Sequence, residues 1–264
     1  MKTAQEYQKR LQRHLDELKW LYCELYPGRE DMFTQLCEQM EAWYQDRPES
    51  EKKLDREREQ EPAWYSRQDM LGMMLYIDAF AGNLKGVKKK LPYLEACNVN
   101  YLHLMPFLDT PKGKSDGGYA VADYRKVQPP LGTMDELASL CSSCHEKKMS
   151  VCMDFVMNHT SEDHEWAKRA LAGENEYQDP YFFKHTPDIP QEYAKTEPKV
   201  FPTTAPGNFT WREECQKYDM TSFYPYQWDL NYSNPVVFNE SVFNMLLLVN
   251  QAIDIARIDG VPYI

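Results

Sequence analysis

The fold of this chain is decided by residues 150–160, which read Ser150-Val151-Cys152-Met153-Asp154-Phe155-Val156-Met157-Asn158-His159-Thr160. The first seven residues are mostly apolar, and a short apolar run of this length is typical of a strand buried on both faces. The polar Asn-His-Thr group comes directly after it. The stretch therefore predicts a buried strand whose end carries side chains able to bind or react.

Strands and helices alternate on both sides of this strand. The predicted strands are residues 73–77, 99–105, 150–156 and 253–259, and the predicted helices are residues 84–96, 133–148 and 235–252. This alternation predicts an α/β fold with a parallel sheet and right-handed crossovers. A closed (β/α)8 TIM barrel needs about 250 residues. Residues 70–264 are therefore expected to form a truncated barrel domain with about the first four βα units.

Residues 1–69 are predicted to form a helical N-terminal domain. Leucines recur there every three or four residues, at Leu11, Leu15, Leu18, Leu21 and Leu25. This spacing predicts one amphipathic helix, ended by Pro27-Gly28. A second helix is expected after Asp31. Residues 46–61 are dense in charged side chains, which favours a solvated helix or linker.

The connection from about residue 160 to 233 is too long for an ordinary loop between a strand and a helix. It is rich in Tyr, Phe, Trp and Pro. We interpret it as a subdomain inserted into the barrel domain, above a site at the strand ends.

Composition excludes several classes of function. The net charge of −11 argues against nucleic-acid and anionic-membrane partners. No apolar run approaches the length of about 20 residues that a membrane span needs, and the N-terminus lacks a signal-peptide pattern. Seven scattered cysteines fit free thiols better than a disulfide framework. These features predict a cytoplasmic location.

The candidate catalytic side chains lie at the ends of two predicted strands, residues 150–156 and 253–259. In βα barrels the catalytic groups lie at the carboxyl ends of the strands. Alternation along the last strand places Arg257 and Asp259 on one side, where the guanidinium stabilises an ionised carboxylate suited to act as a nucleophile. His159 could donate a hydrogen bond to a substrate hydroxyl. Taken singly, an Arg-x-Asp motif is more often a structural ion pair, but the two motifs together favour a catalytic site.

The motifs resemble those of the α-amylase superfamily, glycoside hydrolase family 13. The stretch 154–159 matches its first signature region and residues 256–259 match its second, while Gln-Trp-Asp-Leu-Asn at 227–231 resembles the short signature late in the inserted subdomain. Further similarity, to the amylosucrase branch, lies in residues 76–86, 103–106, 114–121, 162–167 and 228–235. That branch also has a helical domain before its barrel.

The resemblance implies a role for seven residues. It makes Asp259 the catalytic nucleophile with Arg257 beside it, and it makes five residues substrate-binding or supporting groups, namely Asp116, Tyr119, Asp154, His159 and Tyr226. It implies sucrose and an α-glucan as substrates, a β-glucosyl-enzyme intermediate, and an acid/base glutamate on a fifth strand that residues 1–264 do not include. The chain alone is therefore expected to be inactive. No cofactor is expected; calcium is an alternative that Asn158 alone suggests.

Other functions remain open from the sequence. An α-glucosidase, a sucrose hydrolase or a trehalose-converting enzyme of the same superfamily would share these motifs, and a non-catalytic sugar-binding fragment is an alternative of another class. Cys141-Ser142-Ser143-Cys144-His145 fits a haem-attachment pattern, but it lies inside a predicted amphipathic helix. Packing of both cysteines against the sheet is the better interpretation.

Overall fold

The computed structural model describes residues 2–264, with side-chain burial from Ala4 onward. The described helices are α1 (Lys2–Gln12), α2 (Leu15–Leu25), α3 (Glu30–Asp46), α4 (Glu49–Gln60), α5 (Ile77–Ala81), α6 (Leu84–Ala96), α7 (Met134–Glu146), α8 (Glu165–Leu171), α9 (Asn175–Gln178), α10 (Asp188–Thr196) and α11 (Pro235–Val249). The described strands are β1 (Gly72–Leu75), β2 (Tyr101–Leu104), β3 (Leu108–Asp109), β4 (Asp123–Val127), β5 (Ser150–Val156), β6 (His159–Ser161), β7 (Phe183–Lys184), β8 (Phe209–Arg212), β9 (Lys217–Met220), β10 (Gln227–Asp229) and β11 (Ile255–Asp259).

The predicted α/β fold with a parallel sheet is confirmed. A four-stranded sheet has the strand order β1-β2-β5-β11, and β2 pairs in parallel with both β1 and β5. Strand β5 is buried along almost its whole length, as expected for a central strand covered on both faces. Closure of this sheet into a (β/α)8 barrel stays a prediction.

Strand β1 is less buried than its apolar sequence predicts. Its last residue is Leu75, and Ile77, which was expected in the strand, begins helix α5 instead. Met74 is 64% exposed. Strand β1 is outermost in the strand order, so its side chains have strand neighbours on one side only.

The chain divides into two compact units. The first unit comprises residues 1–104, 134–153 and 238–256, and the second comprises residues 105–133, 154–237 and 257–264. The predicted boundaries at residues 69/70 and about 160 and 233 stay predictions. Within the described residues, no helix is both long and apolar enough to cross a membrane.

In the first unit, the prediction of one helix through Leu11–Leu25 is wrong. The chain turns at Arg13 and His14, so that α1 and α2 are separate helices. Leu21 and Leu25 of the expected stripe are exposed. The core is formed instead by the aromatic residues that directly follow these leucines, Tyr22 and Tyr26. The same cluster contains Phe33 and Leu36, and Phe238 of α11 packs against it. Large rings bury more apolar area than leucine, which explains why Tyr22 and Tyr26 face the core in place of Leu21 and Leu25.

The charged run at residues 46–61 is not fully solvated as predicted. Helix α4 buries Glu51 and Lys52, which are 5% and 4% exposed. Lys52 Nζ donates to the backbone carbonyl of Gln45 at 3.2 Å and lies over the Tyr44 ring. Buried charges need such partners, and the sequence pattern could not show that these partners were available.

Glu51 belongs to a buried ion cluster that we call the His145 network, formed by Glu51, Arg58, His145 and Asp254. His145 Nδ1 lies 3.3 Å from Glu51 Oε1, and His145 Nε2 lies 2.9 Å from Asp254 Oδ2. Arg58 donates to Asp254 Oδ1 at 2.5 Å and stacks on the Trp64 ring. Burial opposes the charged imidazolium, but the two carboxylates outweigh it and raise the pKa of His145 to about 9. The network therefore joins α4, α7 and the segment before β11 inside the first unit.

The Cys-x-x-Cys-His pattern lies in α7 and at its end. Cys141 and Cys144 are fully buried, and all seven cysteines are free thiols. Because His145 is engaged by two carboxylates, the motif is used for packing and ion pairing in this fold.

The second unit is built from small antiparallel pairings. Strand β3 pairs with β4, β6 pairs with β10, and β9 lies between β7 and β8. Its core cluster contains Ala167, Ala170, Tyr181, Trp228, Leu230 and Val237. Antiparallel pairing of β6 with β10 places His159 opposite Asp229 and Ser161 opposite Gln227, which brings the end of the β5 region beside the Gln-Trp-Asp motif.

Candidate active site

One arginine joins two of the predicted carboxylates. Arg257 Nη1 donates to Asp259 Oδ1 at 3.0 Å and also bonds to Asp154 Oδ1. The Asp154 side chain is fully buried, that of Asp259 is 21% exposed and that of Arg257 is 50% exposed. The hydrogen bond to Asp154 is the main cause that raises the pKa of Arg257. The guanidinium thus stays charged and holds Asp259, which faces partly into solvent, by a hydrogen bond.

A tight turn presents Asp116 and Tyr119. Residues Asp116–Gly118 form one 3-10 turn, in which Asp116 has a φ of 49°. At Gly118 the φ is +101°, and a Cβ would lie 2.6 Å from Pro106 Cβ, so only glycine fits. Burial raises the pKa of Asp116, a hydrogen bond from Gln227 opposes this, and the charge of Asp259 adds to the rise. Asp116 and Asp259 therefore act on each other electrostatically.

His159 is enclosed by other side chains. It is 1% exposed, its Nε2 atom lies 2.9 Å from Gln227 Nε2 and 3.2 Å from the Tyr119 carbonyl oxygen, and its ring centroid is 5.0 Å from that of Phe223. Burial lowers the pKa of His159 to about 4, despite the Tyr119 carbonyl, which raises it. The ring is therefore neutral near pH 7. Its predicted contact with a sugar hydroxyl stays a prediction.

Tyr226 ends a row of stacked rings. Its ring is parallel to that of Tyr224, with centroids 5.1 Å apart and an interplanar angle of 3°. Tyr224 stacks in turn on Phe201 at 4.7 Å. Burial, with a contribution from the charge of Asp116, raises the pKa of Tyr226 to about 12. Sequence reasoning found Tyr226 but missed the two rings behind it, since Phe201 is remote in sequence.

Gln227 is another residue to which sequence reasoning gave no role. It is fully buried, and its Nε2 donates to Asp116 Oδ2 at 3.1 Å. The available signal was its position as the first residue of the Gln-Trp-Asp motif. Its contacts could be found only in the fold, because 111 positions separate it from Asp116.

Behind the site, Asp229 is buried without a basic partner among its described contacts. It accepts hydrogen bonds from the hydroxyl and the backbone N–H of Ser222, and from Asn158 at 3.5 Å. Burial outweighs these hydrogen bonds and raises the pKa of Asp229 to about 7. In the described part of the chain, no group of three or more His, Cys, Asp or Glu side chains is placed to hold a metal ion.

Gly260 fixes the chain path directly after Asp259. Its φ is +72°, and a Cβ built there would lie 2.9 Å from Asn158 Cβ. Any side chain at this position would have to displace Asn158 or the strand end, so the backbone after Asp259 passes close to the backbone that carries His159.

All seven predicted site residues lie in the second unit, in two interacting groups. Arg257 joins Asp154 to Asp259, and Gln227 joins Asp116 to His159, which contacts the Tyr119 backbone. The charge of Asp259 adds to the raised pKa of Asp116, and the charge of Asp116 adds to the raised pKa of Tyr226, with burial the main cause in both cases. Two carboxylates thus share one arginine at the strand ends of an α/β sheet, which is where the catalytic groups of βα barrels lie.

The chain belongs to the α-amylase family of glycoside hydrolases, since residues 41–264 match the family described as "Alpha amylase, catalytic domain". The resemblance of its signature motifs is thereby confirmed.

Curated relatives support this membership. The chain is 34% identical over 184 residues to a trehalose synthase of Pimelobacter sp. (strain R48), a match that covers 69% of this chain and 31% of the relative. It is 35% identical over 188 residues to an α-glucosidase of Apis mellifera, covering 69% of this chain and 32% of that enzyme. The chain thus spans about a third of the length of these relatives.

Solved structures show the same fold. An isomaltulose synthase from Protaminobacter rubrum superposes with a TM-score of 0.65 at 26% identity, covering 72% of this chain and 34% of that protein. A variant of the isomaltulose synthase from Erwinia rhapontici NX5, in complex with its natural substrate sucrose, superposes with a TM-score of 0.65 at 25% identity, covering 74% of this chain and 35% of that protein.

Proposed function

We propose that this chain carries the catalytic nucleophile and the glucose-binding residues of a retaining enzyme that acts on α-glucosides. The observation that supports this best is the shared guanidinium of Arg257, which bonds to buried Asp154 and to partly exposed Asp259. The buried carboxylate of Asp154 holds the arginine in place, and the arginine orients the carboxylate of Asp259 by a charge-assisted hydrogen bond. Asp259 is then the nucleophile.

The reaction proceeds through a covalent intermediate. A carboxylate oxygen of Asp259 attacks the anomeric carbon, the bond to the leaving sugar breaks, and its electron pair leaves with the glycosidic oxygen, which takes a proton from a second carboxyl group. Water or a sugar hydroxyl then attacks the β-glucosyl-enzyme. Retaining enzymes place the two carboxyl groups about 5–5.5 Å apart. We assign the role of acid/base to a glutamate on a fifth barrel strand, as the family resemblance implies.

The proposed donor is sucrose and the proposed acceptor an α-glucan, which is the activity of amylosucrase. The motif resemblance supports this assignment, and the likeness to an isomaltulose synthase bound to sucrose supports the donor. The alternatives are an α-glucosidase and a trehalose-converting enzyme, which the names of the curated relatives favour, or a sucrose hydrolase. The resemblance implies no cofactor.

The nucleophile can be tested in this chain without the acid/base. Fluoride is a good leaving group that needs little protonation, so α-glucosyl fluoride should transfer its glucose to Asp259. Intact-mass spectrometry should show one added glucosyl group, and peptide mapping should locate it on Asp259. The label should be absent in Asp259→Asn and present in Asp163→Asn, a matched change at an exposed aspartate.

Three outcomes are informative. Labelling of Asp259→Asn, or of another residue in the wild type, would contradict the assignment of the nucleophile. Binding of sucrose or glucose without labelling, seen as stabilisation in a thermal melt, would support the alternative of a non-catalytic sugar-binding chain.

The donor and the acceptor require the polypeptide with the fifth strand. Incubation with sucrose should give insoluble α-1,4-glucan and fructose. Glucose and fructose alone would favour a sucrose hydrolase. Activity on maltose or trehalose with none on sucrose would contradict the amylosucrase assignment.

A further inference from the structure

Gln227 contacts two residues of the proposed glucose-binding site, Asp116 and His159. It is the first residue of β10 and is fully buried. Its side-chain nitrogen lies 3.1 Å from Asp116 Oδ2 and 2.9 Å from His159 Nε2. One amide group therefore contacts both side chains, which come from separate segments of the second unit, a 3-10 turn and strand β6.

The orientation of this amide follows from its other end. Gln227 Oε1 accepts a hydrogen bond from the backbone N–H of Tyr224 at 3.0 Å. A rotated amide would point its NH2 group at that N–H and its oxygen at the Asp116 carboxylate, which would create two repulsive contacts. The NH2 group therefore faces Asp116 and His159, and its two hydrogens match the two acceptors.

This orientation favours one position for the His159 proton. A donor 2.9 Å from Nε2 needs a lone pair on Nε2, which in the neutral ring places the proton on Nδ1. The Asn158 side-chain nitrogen lies 3.3 Å from Nδ1 and 3.5 Å from Asp229 Oδ1. As placed it would donate to Nδ1, so a proton on Nδ1 requires the Asn158 amide to rotate. Rotation would give up the contact with Asp229 and turn Oδ1, which has no partner among the described residues, toward the Nδ1 proton.

The Tyr119 carbonyl favours the opposite tautomer. Its oxygen lies 3.2 Å from Nε2 and would accept a proton placed there. The tautomer is therefore set by competition. Gln227 needs a lone pair on Nε2, whereas Tyr119, and Asn158 in its present orientation, favour a proton there. The shorter contact is that of Gln227.

We propose that Gln227 is a positioning residue that keeps the His159 proton on Nδ1 and holds one oxygen of Asp116, leaving the other oxygen free for a sugar hydroxyl. The statement about the sugar rests on the proposed function, whereas the statement about the tautomer does not.

The tautomer can be measured in the 264-residue chain by long-range 15N–1H NMR of its histidine rings. The six histidines give few signals, and the signal lost in His159→Asn identifies His159. Near pH 7 the wild type should show a protonated Nδ1 and an unprotonated Nε2. Gln227→Met removes the donor and Gln227→Glu replaces it with an acceptor, so both variants should show a protonated Nε2.

A matched control separates this effect from a general loss of packing. Gln178→Met changes another buried glutamine of the second unit, which donates to the Ala170 carbonyl instead. It should leave the His159 signals unchanged. A protonated Nε2 in the wild type, or unchanged signals in both Gln227 variants, would overturn the assignment of the tautomer.

The role toward the sugar is read from labelling by α-glucosyl fluoride. Loss of a hydrogen bond to a charged group should slow labelling of Gln227→Met by about 10- to 100-fold, with Gln178→Met close to the wild type. If the tautomer changes and the labelling rate does not, the positioning role is refuted. If the wild type is not labelled, the proposed function fails, while the NMR result still decides the tautomer.

Discussion

Stability at alkaline pH should depend on His145. A histidine whose folded-state pKa lies above its unfolded value of 6.5 contributes stability that is fully present below about pH 6.5 and is lost as the pH rises through about 9. Each tenfold change in proton affinity is worth about 1.4 kcal/mol, so the full effect would be about 3 kcal/mol. Because the side chain is 16% exposed and Arg58 remains bonded to Asp254 after His145 loses its proton, we expect about 2 kcal/mol.

The assay is urea unfolding of the wild type and of His145→Gln between about pH 6 and about pH 10. Intrinsic fluorescence is a suitable probe, because one of the six tryptophans, Trp64, stacks on Arg58 at 3.8 Å. His145→Gln should be less stable than the wild type by about 2 kcal/mol at the acid end, and the two should converge at the alkaline end.

The control is His14→Gln, at an exposed position between α1 and α2, which should follow the wild type throughout. A constant difference between the wild type and His145→Gln over the whole pH range would refute the reasoning, since it would show that the histidine contributes by packing and not by its charge.

Three further predictions concern the second unit. Gly260→Ala should cost about 1–3 kcal/mol in unfolding free energy, because the positive φ is strained for alanine and the new methyl group would meet Asn158 Cβ at 2.9 Å; circular dichroism during urea unfolding measures this. The raised pKa of Asp229 makes the contribution of this carboxyl to folding stability greatest below about pH 4 and smaller as the pH rises to about 7. Asp229→Asn should therefore flatten the dependence of the unfolding free energy on pH between about 4 and about 7. Arg257→Lys should slow glucosyl labelling of Asp259 by about tenfold or more, because one ammonium group cannot reproduce the planar geometry of the guanidinium; an unchanged rate would contradict the role of this arginine.

The elements around the site were predictable because their patterns are local. Helix α6 and strand β5 begin and end at the residues that periodicity and composition indicate. Alternation along β11 also predicted that Arg257 and Asp259 share one side, and the 3.0 Å contact between them agrees with it.

Features that depend on distant partners were not predictable. Glu51 looks solvated in its charged segment, but it is buried because His145, 94 positions away, can bond to it. The division between α1 and α2 similarly reflects packing of Tyr22 against Phe238. At the site, the sequence motifs predicted seven residues that the fold brings into one unit, whereas the contacts of Gln227 and the rings behind Tyr226 depend on the folded second unit.

The charge balance around Arg257 has a consequence for the kind of sugar that can enter. Asp116, Asp154 and Asp259 supply three carboxylates against one guanidinium, and His159 adds no positive charge because it is neutral near pH 7. This excess of negative charge repels phosphorylated and carboxylated sugars and attracts protonated amines of similar shape. For the proposed α-glucoside site we therefore expect uncharged sugars to bind in preference to phosphorylated or carboxylated ones, and basic sugar mimics to act as inhibitors.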